Sequence, residues 1–535
     1  MFPVNSGILA RASTQLVTCL ALSSIISCYL GQDANFDLRN YHFFNAWSFL
    51  TGNTNDFLAP VGEQSYFNPL LDLPYYLMIS GPLNDYPALV AALQGLYAGL
   101  LLFLILRLNL IIFRDRLPIS LLATSVGFLG ASTYSQIGTT FNEMQLAVLV
   151  VAGLLVVITS QRSDGRMPFV VAGILAGTAT GLKLTAATYA IALLFTIISI
   201  HAFNAKLISK SSYFVFGCAV GFIAFALYWY YLVFDLLGNP IFPYYNAFFR
   251  SDFYPYFNPS DDRFKAHGFV DIIKIPYHLA AGSVGVTSEV YVRDPRLLVT
   301  ISAVALLAVP SFRRGVFRSG NSSVDQRSAL GVSAFFISGY LVWVYQFGIL
   351  RYAIPTEVVS GTIIVAVIGL LTNFSSHISS LLSMAIATVI VLTTSHPNWG
   401  RIPYGTRAVE VFWPALPPSV RIVIGGGPVS YTLPFADVQI RDVINPRLAH
   451  PGYKLLEHLQ ARVSESGPPI FVLFNSPPLP AGVGSLGSLG LRWDSQTCRS
   501  VRTSFEQDIK LCEATQPLNA VRTQGSRGLV ELVDK

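Results

Sequence analysis

The side chains best suited to chemistry in this sequence lie directly after its first apolar stretch, which ends near Leu30. Asp33, Asp37, Arg39 and His42 follow at once, among aromatic residues. Ionisable groups held at a membrane boundary are costly to desolvate, so a cluster of them is a candidate functional site. A carboxylate at such a site can accept a proton, which makes Asp37 a candidate general base.

Each of these residues also has a simpler interpretation. Asp37 stands where a helix starts, and Asp is a favoured N-cap residue. Asp33 is a second candidate for the base, but its simpler role is to fix the loop. His42 could contact a substrate or could be an interfacial histidine held by hydrogen bonds.

Three further ionisable residues interrupt apolar sequence. Glu143 opens one apolar segment, Lys183 separates two others, and Arg351 follows the end of a fourth. Fixed cations can bind an anionic group of a substrate; Arg suits bidentate contact, and Lys acts as a point charge. Alternatively, Lys183 reaches out to the membrane surface. Glu143 could orient an acceptor or form an ion pair with either Arg39 or Lys183.

The composition indicates the environment in which these residues act. The chain has 535 residues, of which 52% are hydrophobic and 12% charged, with a mean hydropathy of +0.52. Soluble proteins carry roughly 25% charged residues, so repeated apolar runs here predict a multi-pass helical membrane protein. Its net charge of +6 is spread over short loops and does not predict nucleic-acid binding. No metal-ligand spacing of His and Cys occurs, and we expect a metal-independent protein.

About eleven spanning segments are predicted, the first retained rather than cleaved as a signal peptide. They cover approximately residues 12–30, 87–106, 118–136, 144–160, 167–183, 186–204, 212–236, 296–311, 329–347, 355–373 and 377–395.

Basic residues predict the orientation of these segments. They fall in alternate loops, which places those loops and the N-terminus in the cytoplasm: Arg107, Arg114 and Arg116; Arg162 and Arg166; Lys206 and Lys210; Arg313, Arg314, Arg318 and Arg327. The long loops 31–86 and 237–295 are then extracytoplasmic. Because long ordered loops usually carry function, we expect the functional site on that side.

The composition changes after residue 395. We predict that 1–395 is the transmembrane module and that 396–535 is a small extracytoplasmic α/β domain. Val420–Ile424 and Ile470–Phe474 are predicted strands, and Gly452–Val463 is a predicted helix. Cys498 and Cys512 would form a disulfide in an oxidising compartment; otherwise they are free thiols.

Several local patterns occur in the same order in one known class of enzyme. The chain resembles the GT-C membrane glycosyltransferases, especially the branch containing protein O-mannosyltransferases and lipid A aminoarabinose transferases. That branch has an acid after its first span, followed by a Tyr and then a Gly, similar to Asp37, Tyr41 and Gly52 here.

Further patterns extend the resemblance over residues 1–395. They are Tyr66-Phe67-Asn68-Pro69-Leu70, in which Asn68 replaces the usual Lys; Glu143 at the start of the fourth span; Gly177 to Lys183; and Arg351-Tyr352-Ala353-Ile354-Pro355.

The resemblance implies a multi-pass enzyme of the bacterial inner membrane with a GT-C fold. It would move a sugar from a polyprenyl-phosphate lipid to a surface glycan, glycolipid or protein, with inversion and without a further cofactor. Asp37 and Glu143 would be catalytic. The implied substrate-binding residues are Arg39, Tyr41, His42, Tyr66, Asn68, Lys183, Arg351 and Tyr352.

Two other classes of protein remain open. A transporter or flippase of a lipid-linked glycan would also carry ions within the membrane, although it more often shows internal repeats and charges near the midplane. A non-catalytic scaffold of surface-polymer assembly would use the soluble domain for binding. Convergence of Asp37, Glu143, Lys183 and Arg351 in one outward cavity would favour the enzyme, and scatter of more than about 15 Å would favour the other two classes.

Overall fold

The computed structural model describes residues 6–55, 57–202, 206–308, 323–372, 377–477, 485–505 and 507–515. In chain order, its α-helices are α1 (Ser6–Leu30), α2 (Phe43–Leu50), α3 (Leu73–Ile79), α4 (Pro87–Ile112), α5 (Leu117–Phe128), α6 (Ala131–Ser135), α7 (Glu143–Thr159), α8 (Met167–Leu182), α9 (Ala187–His201), α10 (Leu207–Leu237), α11 (Asn246–Phe249), α12 (Phe269–Ala281), α13 (Arg296–Ala308), α14 (Gln326–Gln346), α15 (Ile354–Thr372), α16 (His377–Thr393) and α17 (Lys454–Ser464).

A helix covers most of each predicted spanning segment. Within the described residues, six helical stretches are long and apolar enough to cross a membrane: Ala10–Leu30, Pro87–Ile112, Leu184–His201, Leu207–Leu237, Gln326–Gln346 and Leu350–Thr372. Five further apolar helices have 10–17 residues. The chain is thus a polytopic helical protein, and the count of eleven spans stays a prediction. Segment ends predicted at 203–204, 309–311 and 373 lie outside the described residues.

The third predicted segment differs from the observed structure. The prediction runs through residue 136, but α5 ends at Phe128 and the separate helix α6 follows. Gly130 occupies the break, and a side chain there would collide with the carboxylate of Glu357. An ion from another helix therefore ends this segment early.

Close helix contact fixes the position of the segment that leads to Lys183. On α8, Gly173 and Gly177 lie against the backbone of α10, where an added methyl group would collide with Phe214 or Cys218. Small residues of this kind let membrane helices approach closely. The end of α8 is held by this contact.

The basic loops lie at one end of the helical module. Lys206 pairs with Asp164 at 2.9 Å, and Arg327 donates to the carbonyl of Ile200 at 2.8 Å. The backbone of the segment before α14 contacts the end of α4, where Asp325 N donates to Ile112 O. Arg313, Arg314 and Arg318 lie outside the described residues. That this end faces the cytoplasm stays a prediction.

The C-terminal region forms the predicted α/β domain. Its strands are β3 (Val411–Phe412), β4 (Ser419–Ile424), β5 (Gln439–Ile444), β6 (Ile470–Asn475), β7 (Arg492–Trp493), β8 (Arg499–Thr503) and β9 (Ile509–Thr515). The sheet order is β3-β8-β9-β6-β4-β5, with β7 also pairing with β9.

Parallel and antiparallel pairing meet within this sheet. Strands β5, β4 and β6 are parallel, whereas β9 runs antiparallel to β6. The two predicted strands and the predicted helix are confirmed as β4, β6 and α17. A disulfide joins Cys498 to Cys512 and confirms the predicted pairing.

The α/β domain contacts the helical module directly. Strand β1 (Gln32–Asp33), which follows α1, pairs antiparallel with β2 (Arg401–Ile402), which follows α16. Ser430 Oγ donates to the carbonyl of Asn40, and Tyr404 donates to that of Cys28 at 2.9 Å. The predicted boundary at residue 395 falls between α16 and β2 and stays a prediction.

Candidate active site

Asp37 lies at the start of a helix that is locally underwound. A π-helical turn, Leu38–His42, continues directly into α2, and π turns inside helices are frequent at functional sites. The side-chain oxygen of Asn35 accepts from the backbone N–H of Leu38 at 2.8 Å, whereas Asp37 makes no side-chain cap bond. The N-cap interpretation of Asp37 is therefore wrong, because Asn35 performs that role.

The Asp37 carboxylate is held by a cation from a distant part of the chain. Its Oδ2 lies 2.6 Å from Nη1 of Arg351, with both side chains about 15% exposed, and Tyr41 donates to the same oxygen at 3.4 Å. Burial alone would raise the pKa of Asp37, but the charge of Arg351 brings that pKa below its ordinary value. Asp37 is accordingly ionised at neutral pH, as a proton acceptor must be.

Two aromatic rings and a short helix hold Arg351. The guanidinium carbon lies 4.4 Å from the ring centre of Phe141 and 5.7 Å from that of Trp399. Gln136, directly after α6, donates to the Arg351 carbonyl at 3.1 Å. The Arg351 Nε is buried and has no hydrogen-bond partner in the described part of the chain. The planar guanidinium of Arg351 can therefore donate to a further anionic group.

A second ion pair lies beside the first. Glu143 begins α7 and pairs through Oε1 with the ammonium of Lys183, directly after α8. Lys183 also donates to the carbonyl of Phe141 at 3.2 Å and lies 5.4 Å from the ring centre of Tyr352. Of the two partners predicted for Glu143, Lys183 is correct and Arg39 is wrong. The Lys183 side chain is 16% exposed and does not extend to the surface.

The four ionic side chains form one group, called here the charge cluster: Asp37, Arg351, Glu143 and Lys183. Phe141 joins its two halves, since its ring contacts Arg351 and its carbonyl accepts from Lys183. The cluster lies where α7 and α15 begin and α8 ends, on the side that contacts the α/β domain and away from the basic loops. The four residues thus lie together, and an outward cavity that contains them stays a prediction.

His42 belongs to a neighbouring polar network. Its Nδ1 lies 2.6 Å from Oδ1 of Asp72, and Asn142 donates to the same oxygen at 2.6 Å. Asn142 precedes α7 with φ +72°, a left-handed conformation that Asn tolerates better than most residues. His42 is therefore hydrogen-bonded, as its simpler interpretation expects, but its Nε2 is buried without a partner in the described residues.

Asp33 fixes the loop and does not face the cluster. Its Oδ2 accepts from both the N–H and the hydroxyl of Thr140, at 2.8 and 2.9 Å, and from Asn35 at 2.8 Å. These bonds tie the turn after α1 to the residues preceding Phe141. The simpler interpretation of Asp33 fits the structure.

Two other predicted substrate-binding residues have structural partners. The Tyr66 hydroxyl accepts from the backbone N–H of Ala59 at 2.8 Å. Asn68 donates to the carbonyls of Gly181 and Phe225, at 3.1 and 2.8 Å. Asn68 therefore braces the end of α8 just before Lys183, and Tyr66 braces its own loop.

The remaining predicted residues lie beside the Asp37–Arg351 pair or near it on the same turn. Arg39 donates to the carbonyl of Asn35 at 3.4 Å and forms no ion pair with a described carboxylate. Tyr41 and Tyr352 contact the charge cluster directly, through the bonds and ring contacts given above. Of the predicted substrate-binding residues outside the cluster itself, Tyr41 and Tyr352 contact it, whereas Arg39, His42, Tyr66 and Asn68 have other partners.

A buried ionic platform supports Arg351. Glu357 accepts from the N–H groups of Ser132 and Thr133, at 3.0 and 2.6 Å, and Asp294 accepts from that of Ala131 at 2.8 Å. Arg296, fully buried, binds the Asp294 carboxylate at 2.8 Å. Two carboxylates thus satisfy the free N–H groups at the start of α6, and α6 in turn holds the backbone of Arg351.

The sequence-based reasoning missed several residues that build the site. They are Asp72, Phe141, Asn142, Gln145, Asp294, Arg296, Glu357 and Trp399. Signals were present for some of them. Glu357 and Arg296 are ions inside or at the edge of apolar segments, a placement that usually marks function or structure. Trp399 follows the last span at the interface, where Trp is common.

No group of three or more His, Cys, Asp or Glu residues that could hold a metal ion occurs among the described residues. Metal independence stays a prediction. A cavity of about 340 Å³ lies between the loop 31–86 and the α/β domain. Phe43, Tyr76, Asp85, Arg407 and Phe435 line it, and the charge cluster does not.

Comparison with known proteins identifies a similar solved structure. No family model and no curated protein matches the sequence. The chain is similar to a crystal structure of ArnT from Cupriavidus metallidurans bound to undecaprenyl phosphate, with 11% identity and a TM-score of 0.49. The alignment covers 95% of this chain and 98% of the other. The site described above stands on its own contacts and not on this similarity.

Proposed function

We propose that this protein is a membrane glycosyltransferase that uses a polyprenyl-phospho-sugar donor. The observation that supports the proposal is the charge cluster, in which an ionised carboxylate and two cations meet at one end of the membrane helices. A general base and fixed phosphate-binding cations are the groups that such a transfer requires.

The proposed step is a single displacement at the anomeric carbon. The acceptor hydroxyl oxygen forms a bond to that carbon as the bond to the phosphate oxygen breaks, which inverts the configuration. The hydroxyl proton goes to Asp37, and the electron pair leaves with polyprenyl phosphate. Arg351 and Lys183 then stabilise the additional negative charge on the phosphate. Glu143 holds Lys183 in place and faces the substrate with its second oxygen.

The acceptor lies on the extracytoplasmic side in this proposal. The charge cluster lies at the end opposite the basic loops, which the positive-inside rule assigns to the cytoplasm. A surface glycan, glycolipid or protein could approach there. A transporter is disfavoured because its ions would lie near the middle of the spans, whereas these four lie at helix ends.

The test is an assay of the purified protein with a panel of radiolabelled polyprenyl-phospho-sugars and a cell-envelope extract as the source of acceptors. We expect label from one sugar to move into material that lacks the polyprenyl lipid, and Asp37→Asn to prevent this. Equal transfer by both proteins would contradict the proposed base. Passage of the intact lipid-linked sugar across a vesicle membrane, without transfer, would identify a transporter.

A further inference from the structure

Three buried polar atoms beside the charge cluster have no hydrogen-bond partner within the described part of the chain. They are Nε2 of His42, Oε2 of Glu143 and Oε1 of Gln145, and these residues are only 3%, 4% and 8% exposed. Buried polar groups are nearly always hydrogen-bonded in folded proteins. What sets these three apart is that they lie on adjoining residues beside the charge cluster, and this grouping points to a ligand there.

The three residues that carry these atoms adjoin Asn142. Asn142 Nδ2 lies 3.4 Å from His42 Nδ1, and Gln145 Nε2 lies 3.4 Å from Asn142 Oδ1. Glu143 is the next residue along the chain from Asn142. Gln145 is held on the first turn of α7, and His42 is held on the π-helical turn by Asp72. Rigid elements therefore present all three groups.

The chemistry of these atoms selects the kind of ligand. His42 Nδ1 lies 2.6 Å from a carboxylate oxygen of Asp72, so Nδ1 is the nitrogen that carries the proton in this pair, and Nε2 of that tautomer is an acceptor. Glu143 Oε2 and Gln145 Oε1 are also acceptors. Three acceptors need a ligand that brings donors. An ionised phosphate brings mainly acceptors, whereas the hydroxyl groups of a sugar donate.

We propose that His42, Glu143 and Gln145 form the pocket for the transferred sugar, whose hydroxyl groups donate to Nε2, Oε2 and Oε1. The inference rests on the proposed glycosyl transfer and adds to it the part of the site that selects the sugar. Glu143 connects the two parts, since Oε1 holds Lys183 on the phosphate side and Oε2 is left for the sugar. A sugar esterified to a phosphate needs adjoining sites of this kind.

The test compares lipids with and without a sugar. The affinities of bare polyprenyl phosphate and of polyprenyl-phospho-mannose, -glucose and -arabinose are measured for each protein variant. We expect at least one sugar to increase affinity in the wild type. Gln145→Leu keeps the size of the side chain but removes the acceptor, and it should reduce that gain by roughly 3- to 10-fold. The affinity for bare polyprenyl phosphate should change less than about twofold.

Gln161 provides a matched control. It is also a buried glutamine with an unpartnered Oε1, but it lies just beyond the opposite end of α7. Gln161→Leu should leave the gain from the sugar unchanged. Gln145→Met, a second unbranched replacement, serves if the Leu variant folds poorly.

Two results would overturn the sugar pocket. One is an equal loss of affinity for bare and sugar-bearing lipids in the Gln145 variants. The other is a panel in which no sugar raises affinity above that of bare polyprenyl phosphate. Failure of the wild type to bind any of these lipids is a different result and would contradict the proposed function itself.

Discussion

Asp37 is subject to two opposing influences, and their balance sets its chemistry. Burial disfavours the carboxylate, while Arg351 at 2.6 Å favours it. The net effect lowers the pKa of Asp37. Since Asn35 performs the capping role, the charge of Asp37 is not needed to start the helix.

Asp37→Asn should therefore abolish sugar transfer with little change in stability. Removing a general base typically lowers a rate by about 10²- to 10⁴-fold, and the amide oxygen of the new side chain can still accept a hydrogen bond from Arg351. Sugar transfer and thermal unfolding in detergent are measured on the same preparation. Asn35→Ala is the matched control, since loss of the cap should cost about 0.5–2 kcal/mol of stability. Normal turnover by the Asp37→Asn variant would remove Asp37 from the mechanism.

The lowered pKa of Asp37 predicts a pH dependence. An acid whose pKa is lowered in the folded protein stays ionised as the pH falls through about 4, the ordinary pKa of an Asp side chain. In Arg351→Ala, no adjacent positive charge opposes the effect of burial, so the pKa of Asp37 should rise. The decrease of kcat/KM on the acid side should then begin at a higher pH. The pH profiles of both proteins are compared. A decrease that begins at the same pH in both would show that Arg351 does not set the ionisation of Asp37.

Arg351→Lys tests whether shape matters in addition to charge. A lysine keeps the positive charge but loses the planar fork that can bind a carboxylate and a phosphate together. We expect weaker binding of bare polyprenyl phosphate and reduced turnover, with acceptor affinity changed less. Affinities for donor lipid and acceptor are measured on one purified variant. A fall in acceptor affinity alone would place Arg351 on the acceptor side.

The elements of the site differ in how far the sequence predicts them. Apolar runs in the sequence predict the long helices. They also predict that Lys183 lies between two of these helices. The π-helical turn and α6 could not be predicted, because distant partners stabilise them. The start of α6 depends on carboxylates from Asp294 and Glu357, far away in the sequence. For the same reason the sequence does not decide between Arg39 and Lys183 as the partner of Glu143. The fold brings Lys183 beside it.

At the scale of elements, Glu357→Gln should loosen α6 and through it Arg351. The glutamine amide has one oxygen that accepts and one NH₂ group that donates, so the backbone N–H of either Ser132 or Thr133 would face the NH₂ group. A buried polar group without a hydrogen-bond partner lowers the free energy of unfolding by about 1–3 kcal/mol. We expect lower thermal stability together with weaker binding of bare polyprenyl phosphate. Thr362→Val, on the same helix, is the control.

The control has a clear physical basis. Thr362 is buried and its hydroxyl has no partner in the described residues, so valine should fit with little cost. If Glu357→Gln lowered stability but left lipid binding intact, the platform would support the fold without positioning Arg351.

The whole molecule joins two parts that the sequence predicts separately. Composition indicated an α/β domain after residue 395, and the sheet is observed there. The contact between domain and site was not predictable, since it uses backbone groups and single side chains. Trp399 lies over Arg351, and Ser430 holds the carbonyl of Asn40. The α/β domain therefore helps to position the turn that carries Asp37.

The orientation of the molecule gives the last prediction. The disulfide between Cys498 and Cys512 suits an oxidising compartment, and the domain lies at the end opposite the basic loops. We therefore expect the C-terminus to be extracytoplasmic. In a bacterial host, a C-terminal fusion to alkaline phosphatase should be active, whereas a fusion to a fluorescent protein that matures only in the cytoplasm should be dark. A matched fusion after Arg166, in a basic loop, should give the opposite pair of signals. If the C-terminal fusion instead behaved like the Arg166 fusion, the proposed side of the reaction would be wrong, and the acceptor would have to be cytoplasmic.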